Sequence, residues 1–161
     1  MNRKLLSFAL IIPLLSLSGC WWWGKSSEAE VKPDQKLYVI NVLDKPFFDD
    51  CHIKGSIHVP FEKMNDFASK LNKNTELVIY CSNYMCSASG QVTEELIAKG
   101  FQHVWAYEAG MSDWSQRGFP CEGACKKPYL TTENKAHDGV GKVPTISSEE
   151  LKQKMEKAGL L

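Results

Sequence analysis

The chain has 161 residues, 43% hydrophobic and 24% charged, a balance that fits one globular domain with appendages and excludes an intrinsically disordered chain. Nineteen basic residues meet nineteen acidic ones, and removing residues 1–19, which carry Arg3 and Lys4, leaves 17 basic against 19 acidic. A slightly acidic chain offers no basic face, so no nucleic-acid partner is expected.

The N-terminus is read before the fold. Arg3 and Lys4 precede an apolar run from Leu5 to Leu17 that only Ser7 and Ser16 interrupt. The run suits a signal-peptide core and is short for a spanning helix. It ends in Leu17-Ser18-Gly19-Cys20, which resembles the bacterial lipoprotein signal. The resemblance implies a signal peptide over residues 1–19 and a Cys20 that becomes the acylated N-terminus. More than one acyl chain, palmitate among them, gives a stable membrane anchor. The other reading is an uncleaved anchor with an incidental cysteine. Trp21-Trp22-Trp23 suits a membrane interface. No Asp follows Cys20, which by the same resemblance favours the outer over the inner membrane, with the protein facing the periplasm. With Cys20, the polar residues up to 36, including Gly24, Ser26, Ser27 and Pro33, form a lipidated N-terminus and flexible linker.

The folded part then follows in order. Residues 37–42 are rich in β-formers and predict a buried strand. Residues 57–60 predict a short strand stopped by Pro60. Phe61, Met64, Phe67, Ala68 and Leu71 have helical spacing, which predicts a helix over 61–71. Residues 77–80 form the clearest strand, short and wholly apolar. A helix is expected over 87–99, with Ala88, Val92, Leu96 and Ile97 inward and Gly100 as its stop. A strand over 104–107 and a short helix over 111–117 close the series. Strands alternating with helices predict an α/β fold with a mostly parallel central sheet flanked by helices on both faces.

Three segments resemble the rhodanese family. Residues 48–60, Phe-Asp-Asp-Cys-His-Ile-Lys-Gly-Ser-Ile-His-Val-Pro, resemble its "GHIPGAIHIP" stretch, with Cys51 in place of the first glycine. Val78-Ile79-Tyr80-Cys81, then a short loop and a helix, resembles the strand that leads into its active-site loop. Residues 100–120, including Ala109-Gly110-Met111-Ser112-Asp113-Trp114 and Gly118-Phe119-Pro120, resemble its glycine- and tryptophan-containing ending. The rhodanese-like domain is placed at 37–125, with a polar loop at 126–143. The family's opening "I-S-x-E-E-L" element is missing before Leu37, yet residues 144–151 read Pro-Thr-Ile-Ser-Ser-Glu-Glu-Leu. A helix capped by Ser147 or Ser148, ended by Gly159 and carrying Leu151, Met155 and Ala158 on one face, either replaces that opening element, as in a circular permutation, or lies on the surface unrelated to it.

Cys81 is the candidate catalytic residue. The loop Ser82-Asn83-Tyr84-Met85-Cys86-Ser87 is expected to curl around the thiol as a cradle of backbone N–H groups, which lowers a thiol pKa. The resemblance implies a small sulfur donor, a Cys81 persulfide and a thiol acceptor, with no cofactor. The loop has the length of the sulfur-handling members, but no basic residue, and Cys86 stands where an arginine is usual. Asn41 and Leu43 likewise replace an Asp and an Arg. Thiosulfate would lack its charge partner here. His52 and His58 are read as structural, Trp114 as core.

Setting Cys20 aside, five cysteines remain, Cys51, Cys81, Cys86, Cys121 and Cys125, and their pairing is open. Cys121 and Cys125 are the easiest local pair, as a staple or a redox relay. Cys86 resolves a Cys81 intermediate or pairs with Cys51. No paired C-x₂-C spacing supports a metal, even with His52, His58, His103 or His137 nearby, and none is expected. Two further readings stand beside sulfur transfer: a non-catalytic module that binds an envelope protein partner, and a thiol–disulfide redox lipoprotein using Cys81 and Cys86.

Overall fold

A computed structural model describes residues 29–32, 34–136 and 141–161. The signal segment, Cys20, the tryptophan triplet and His137 lie outside the described residues. No helix among those described is long and apolar enough to cross a membrane.

The chain runs β1 (Leu37–Asn41), α1 (Lys45–Asp50), β2 (His52–Ile53), β3 (Ile57–His58), a 3-10 turn into α2 (Met64–Ala68), β4 (Glu76–Tyr80), α3 (Ala88–Ala98), β5 (His103–Tyr107), α4 (Gly110–Gln116), β6 (Cys121–Glu122) and α5 (Ser148–Lys157). β3, β1, β4 and β5 form a parallel sheet in that order. Central strands buried on both faces read as unbroken apolar runs, as Leu77 to Tyr80 do. Alternate residues serve opposite faces. Tyr38, Ile40, Leu77 and Ile79 meet Met64 and Phe67 of α2 and Val92 and Leu96 of α3. Leu37, Val39, Val78 and Tyr80 meet Met111 and Trp114 of α4 and Leu151 and Met155 of α5. Helices therefore cover both faces, as expected.

Four details differ from the sequence reading. The helix expected over 61–71 shrinks to five residues, because the Phe61–Lys63 turn precedes it and the chain leaves after Ala68. Ile97 is exposed, since the buried stripe of α3 runs through Ser89, Val92, Thr93 and Leu96. Ala158 is exposed, because it is the C-cap of α5 and lies beyond the last turn that faces the sheet. Helix α1 was not foreseen, because six residues starting at Lys45-Pro46 carry no apolar periodicity.

The tail lies on the sheet edge beside β5. The Ala106 N–H donates to the Pro144 carbonyl at 2.9 Å, and the Ile146 N–H donates to the Ala106 carbonyl at 3.1 Å. Ser147 then caps α5 in a capping box with Glu150. Beyond α5 the chain passes under the β2–β3 turn, where a Cβ on Gly55 (φ +79°) would stand 2.3 Å from the Leu160 carbonyl oxygen.

Candidate functional site

Cys81 immediately follows β4, at the carboxyl edge of the parallel sheet, where α/β folds build their sites. The loop behind it is locked by α4. The Met111 N–H donates to the Cys81 carbonyl at 3.0 Å, and the Ser112 N–H to the Ser82 carbonyl at 2.9 Å. This close approach needs Gly110: its φ is +63°, and a Cβ there would lie 2.7 Å from the Cys81 oxygen and 2.8 Å from the Asn83 nitrogen.

The cradle around Cys81 is thinner than the sequence reading expects. The Met85 N–H goes to Asn83 Oδ1 (3.1 Å), the Cys86 N–H to the Asn83 carbonyl (3.0 Å) and the Tyr84 N–H to Asn134 Oδ1 (3.1 Å). Asn83 closes an Asx turn that takes up the Met85 and Cys86 donors. Asn134 in turn donates to the Ala109 carbonyl at 2.8 Å and so ties the 126–136 segment to the site. Met85 points outward and is 79% exposed.

Cys81 is fully buried, as is Ser89, whose hydroxyl lies 3.5 Å from Cys81 Sγ. The Cys81 thiol donates to the Cys86 carbonyl at 3.2 Å. Burial pushes the Cys81 pKa up, and the neighbouring Cys86 sulfur pushes it further in the same direction. Cys86 behaves oppositely. The hydrogen bond from the Cys81 thiol, aided by the backbone N–H groups of Ala88 and Ser82, holds it down at about 6. Of the two thiols, Cys81 is the one pushed up and Cys86 the one held down, the reverse of the sequence reading. The reason is tertiary: Cys86 is half-buried, receives the loop's remaining N–H groups and has Cys81 as a donor.

Tyr84 of the loop, Glu108 and Ala109 after β5, and Thr145, Ile146, Ser147 and Glu150 of the tail line a cavity of about 280 Å³. Two carboxyl side chains and no Lys or Arg make its lining acidic in character.

The remaining candidates fall elsewhere. Cys51 pairs with Cys125, not with Cys86, so the local Cys121–Cys125 pair of the sequence reading does not form. Antiparallel pairing of β2 with β6 brings the two distant segments to a Cα separation of 4.6 Å, which no sequence spacing reveals. Cys81, Cys86 and Cys121 are free among the described residues. His58 Nε2 lies 2.7 Å from the Leu43 carbonyl, and His52 Nδ1 lies 2.8 Å from that of Phe48, both structural. The Trp114 indole donates to the Pro120 carbonyl at 2.9 Å within the core. Asn41 is fully buried, with Oδ1 accepting from the Leu43 N–H at 3.0 Å. Ser89 and Asn134 were missed. Ser89 hides among ordinary first-turn helix residues, and Asn134 sits in a polar stretch without pattern.

A family model for the rhodanese-like domain matches residues 26–117, more than half of the chain. Thiosulfate sulfurtransferase GlpE of Coxiella burnetii is 24% identical over 85 residues, covering 53% of this chain and 78% of that one. The putative sulfur carrier protein YrkF of Bacillus subtilis is 28% identical over 86 residues, 53% of this chain but 45% of that protein. Among solved structures, the BH2092 protein of Bacillus halodurans aligns over 62% of this chain and 74% of its own at a TM-score of 0.53 and 23% identity, a likeness of fold.

Proposed function

This chain belongs to the rhodanese-like domain family, and on that premise we propose that it moves sulfane sulfur from a small donor through a Cys81 persulfide to a thiol acceptor. The observation that carries the reading is the buried Cys81 at the carboxyl edge of the sheet, with its thiol against Cys86. Cys86 accepts the Cys81 proton as Cys81 attacks, the role of a general base beside a nucleophile. The Cys81 sulfur bonds to the donor's outer sulfur. The bond between that sulfur and the rest of the donor breaks, and its electron pair leaves with the donor. An acceptor thiolate then attacks the outer sulfur and returns the pair to Cys81.

The absence of a loop arginine disfavours thiosulfate, whose charge needs a partner, so a neutral organic persulfide or polysulfide is the proposed donor. The test is intact mass after exposure to thiosulfate, mercaptopyruvate or polysulfide. A gain of one sulfur from polysulfide is expected, with none in Cys81→Ser. No gain from any donor, in folded and reduced protein, would leave a binding module for an envelope partner. The contact of the Cys81 thiol with Cys86 favours one second reading, in which the Cys86 thiolate attacks Cys81 Sγ of the persulfide, the Cys81–Cys86 bond forms, hydrosulfide leaves with the electron pair of the broken S–S bond, and the protein acts in redox exchange.

The signal pattern at residues 1–20 supports placing this activity at the cell envelope, on a lipid anchor at Cys20 facing the periplasm, with the outer membrane preferred. Fatty-acid labelling of the protein in cells is expected to disappear in Cys20→Ser. Labelling that persists would remove the anchor from this proposal.

A further inference from the structure

Cys51, Cys121 and Cys125 play no part in the Cys81 loop, yet their three sulfurs lie within 4.8 Å of one another. Cys51 is fully buried at the end of α1. The neighbouring Asp50 accepts the Cys125 N–H at its carbonyl (2.7 Å) and the Lys126 and Lys127 N–H groups at its carboxylate. Gly123 presses the turn against it: a Cβ there, at φ +106°, would stand 2.3 Å from the Asp50 carbonyl oxygen. Cys125 itself sits at φ +51°, a left-handed conformation that costs an L-residue energy. Cys121 pairs with Ile53 across β6 and β2, which makes it a diagonal neighbour of Cys51.

The resting bond joins Cys51 to Cys125, and the free Cys121 thiol donates to the Phe119 carbonyl at 3.2 Å. A thiol held beside a disulfide to which it is not bonded is the arrangement that exchange requires. We propose that these three cysteines form a second thiol centre, in which Cys121 and Cys125 alternate as the partner of Cys51 and which exchanges with low-molecular-weight thiols. In the internal step Cys121 gives its proton to water and its thiolate attacks Cys51 Sγ. The Cys51–Cys121 bond forms, the Cys51–Cys125 bond breaks, and Cys125 leaves with the electron pair and takes a proton from water. The count of disulfides is unchanged, so no oxidant is consumed. The new ring is nearly as long as the 74-residue one it replaces, so the chain stays equally constrained. Cys51 is sealed from solvent while Cys121 and Cys125 are half-buried, so an outside thiol enters at Cys125. Its thiolate attacks Cys125 Sγ and displaces Cys51 as a thiolate, and Cys51 then attacks Cys125 Sγ again, which restores the Cys51–Cys125 bond and releases the outside thiolate.

The experiment incubates the full chain in a mixed reduced and oxidised glutathione buffer. Free thiols are then trapped with N-ethylmaleimide in acid, and the disulfides are mapped by peptide mass. The trapped label is expected on Cys121 and Cys125 in comparable shares, with Cys51–Cys121 and Cys51–Cys125 peptides both present. In Cys121→Ser the label should vanish from Cys125. In Cys125→Ala, oxidised glutathione should close a Cys51–Cys121 bond. Within this cluster, label on Cys121 and none on Cys125 in the native chain would overturn the proposal, as would Cys51 and Cys121 both remaining free in Cys125→Ala. Uptake of one Cu(I) by the reduced protein in place of any disulfide would also overturn it, in favour of a soft-metal site.

Discussion

Cys81→Ser is expected to abolish persulfide formation, and Cys86→Ser to slow it about 100-fold at pH 7 while moving its pH dependence upward. The attacking state has Cys86 ionised and ready to take the Cys81 proton. Cys86 is held at about 6, so the native rate should rise as pH climbs through that value and be lost below it. Without Cys86, Cys81 must lose its proton unaided from a buried position that already raises its pKa. The rising limb of kcat/KM should then move beyond the ordinary thiol range of about 8.5. Stopped-flow persulfidation against pH checks this. An unmoved limb in Cys86→Ser would show that Cys81 ionises independently. The same variant speaks to the redox reading: if native protein loses its persulfide as hydrogen sulfide and Cys86→Ser retains it, Cys86 closes onto Cys81.

Cys51→Ala is expected to cost about 4 kcal/mol of unfolding free energy, the chain-entropy value of a ring closed over 74 residues. The bond ties the end of α1 to the segment after β6 and so closes one end of the small β2–β6 ladder. Removing Cys51 removes every long ring that this cluster can form. Cys121 with Cys125 could still close, but a ring of a few residues constrains the unfolded chain far less. Guanidinium unfolding with and without reductant measures the effect. Native protein should fall by the same amount on reduction, whereas Cys51→Ala should barely respond. A cost below about 1 kcal/mol would show that the long ring contributes little to stability.

The sequence by itself determined the local chemistry and the frame. Apolar runs such as Leu77 to Tyr80 can be satisfied only by burial on both faces, so a parallel sheet between helices was legible from them. Cys81 was legible because a thiol between such a strand and a following helix stands at the sheet's carboxyl edge. The Ser147–Glu150 cap of α5 was legible because capping is short-range. Tertiary structure decided what depends on distance in space. It seated Pro144 to Ile146 on the β5 edge, which propensity cannot assign. It joined Cys51 to Cys125, because the β2–β6 register, not spacing, brings sulfurs together. It pushed the Cys81 thiol up and held Cys86 down, because desolvation depends on how deeply each sulfur is packed and hydrogen bonding on which donors the fold aims at it.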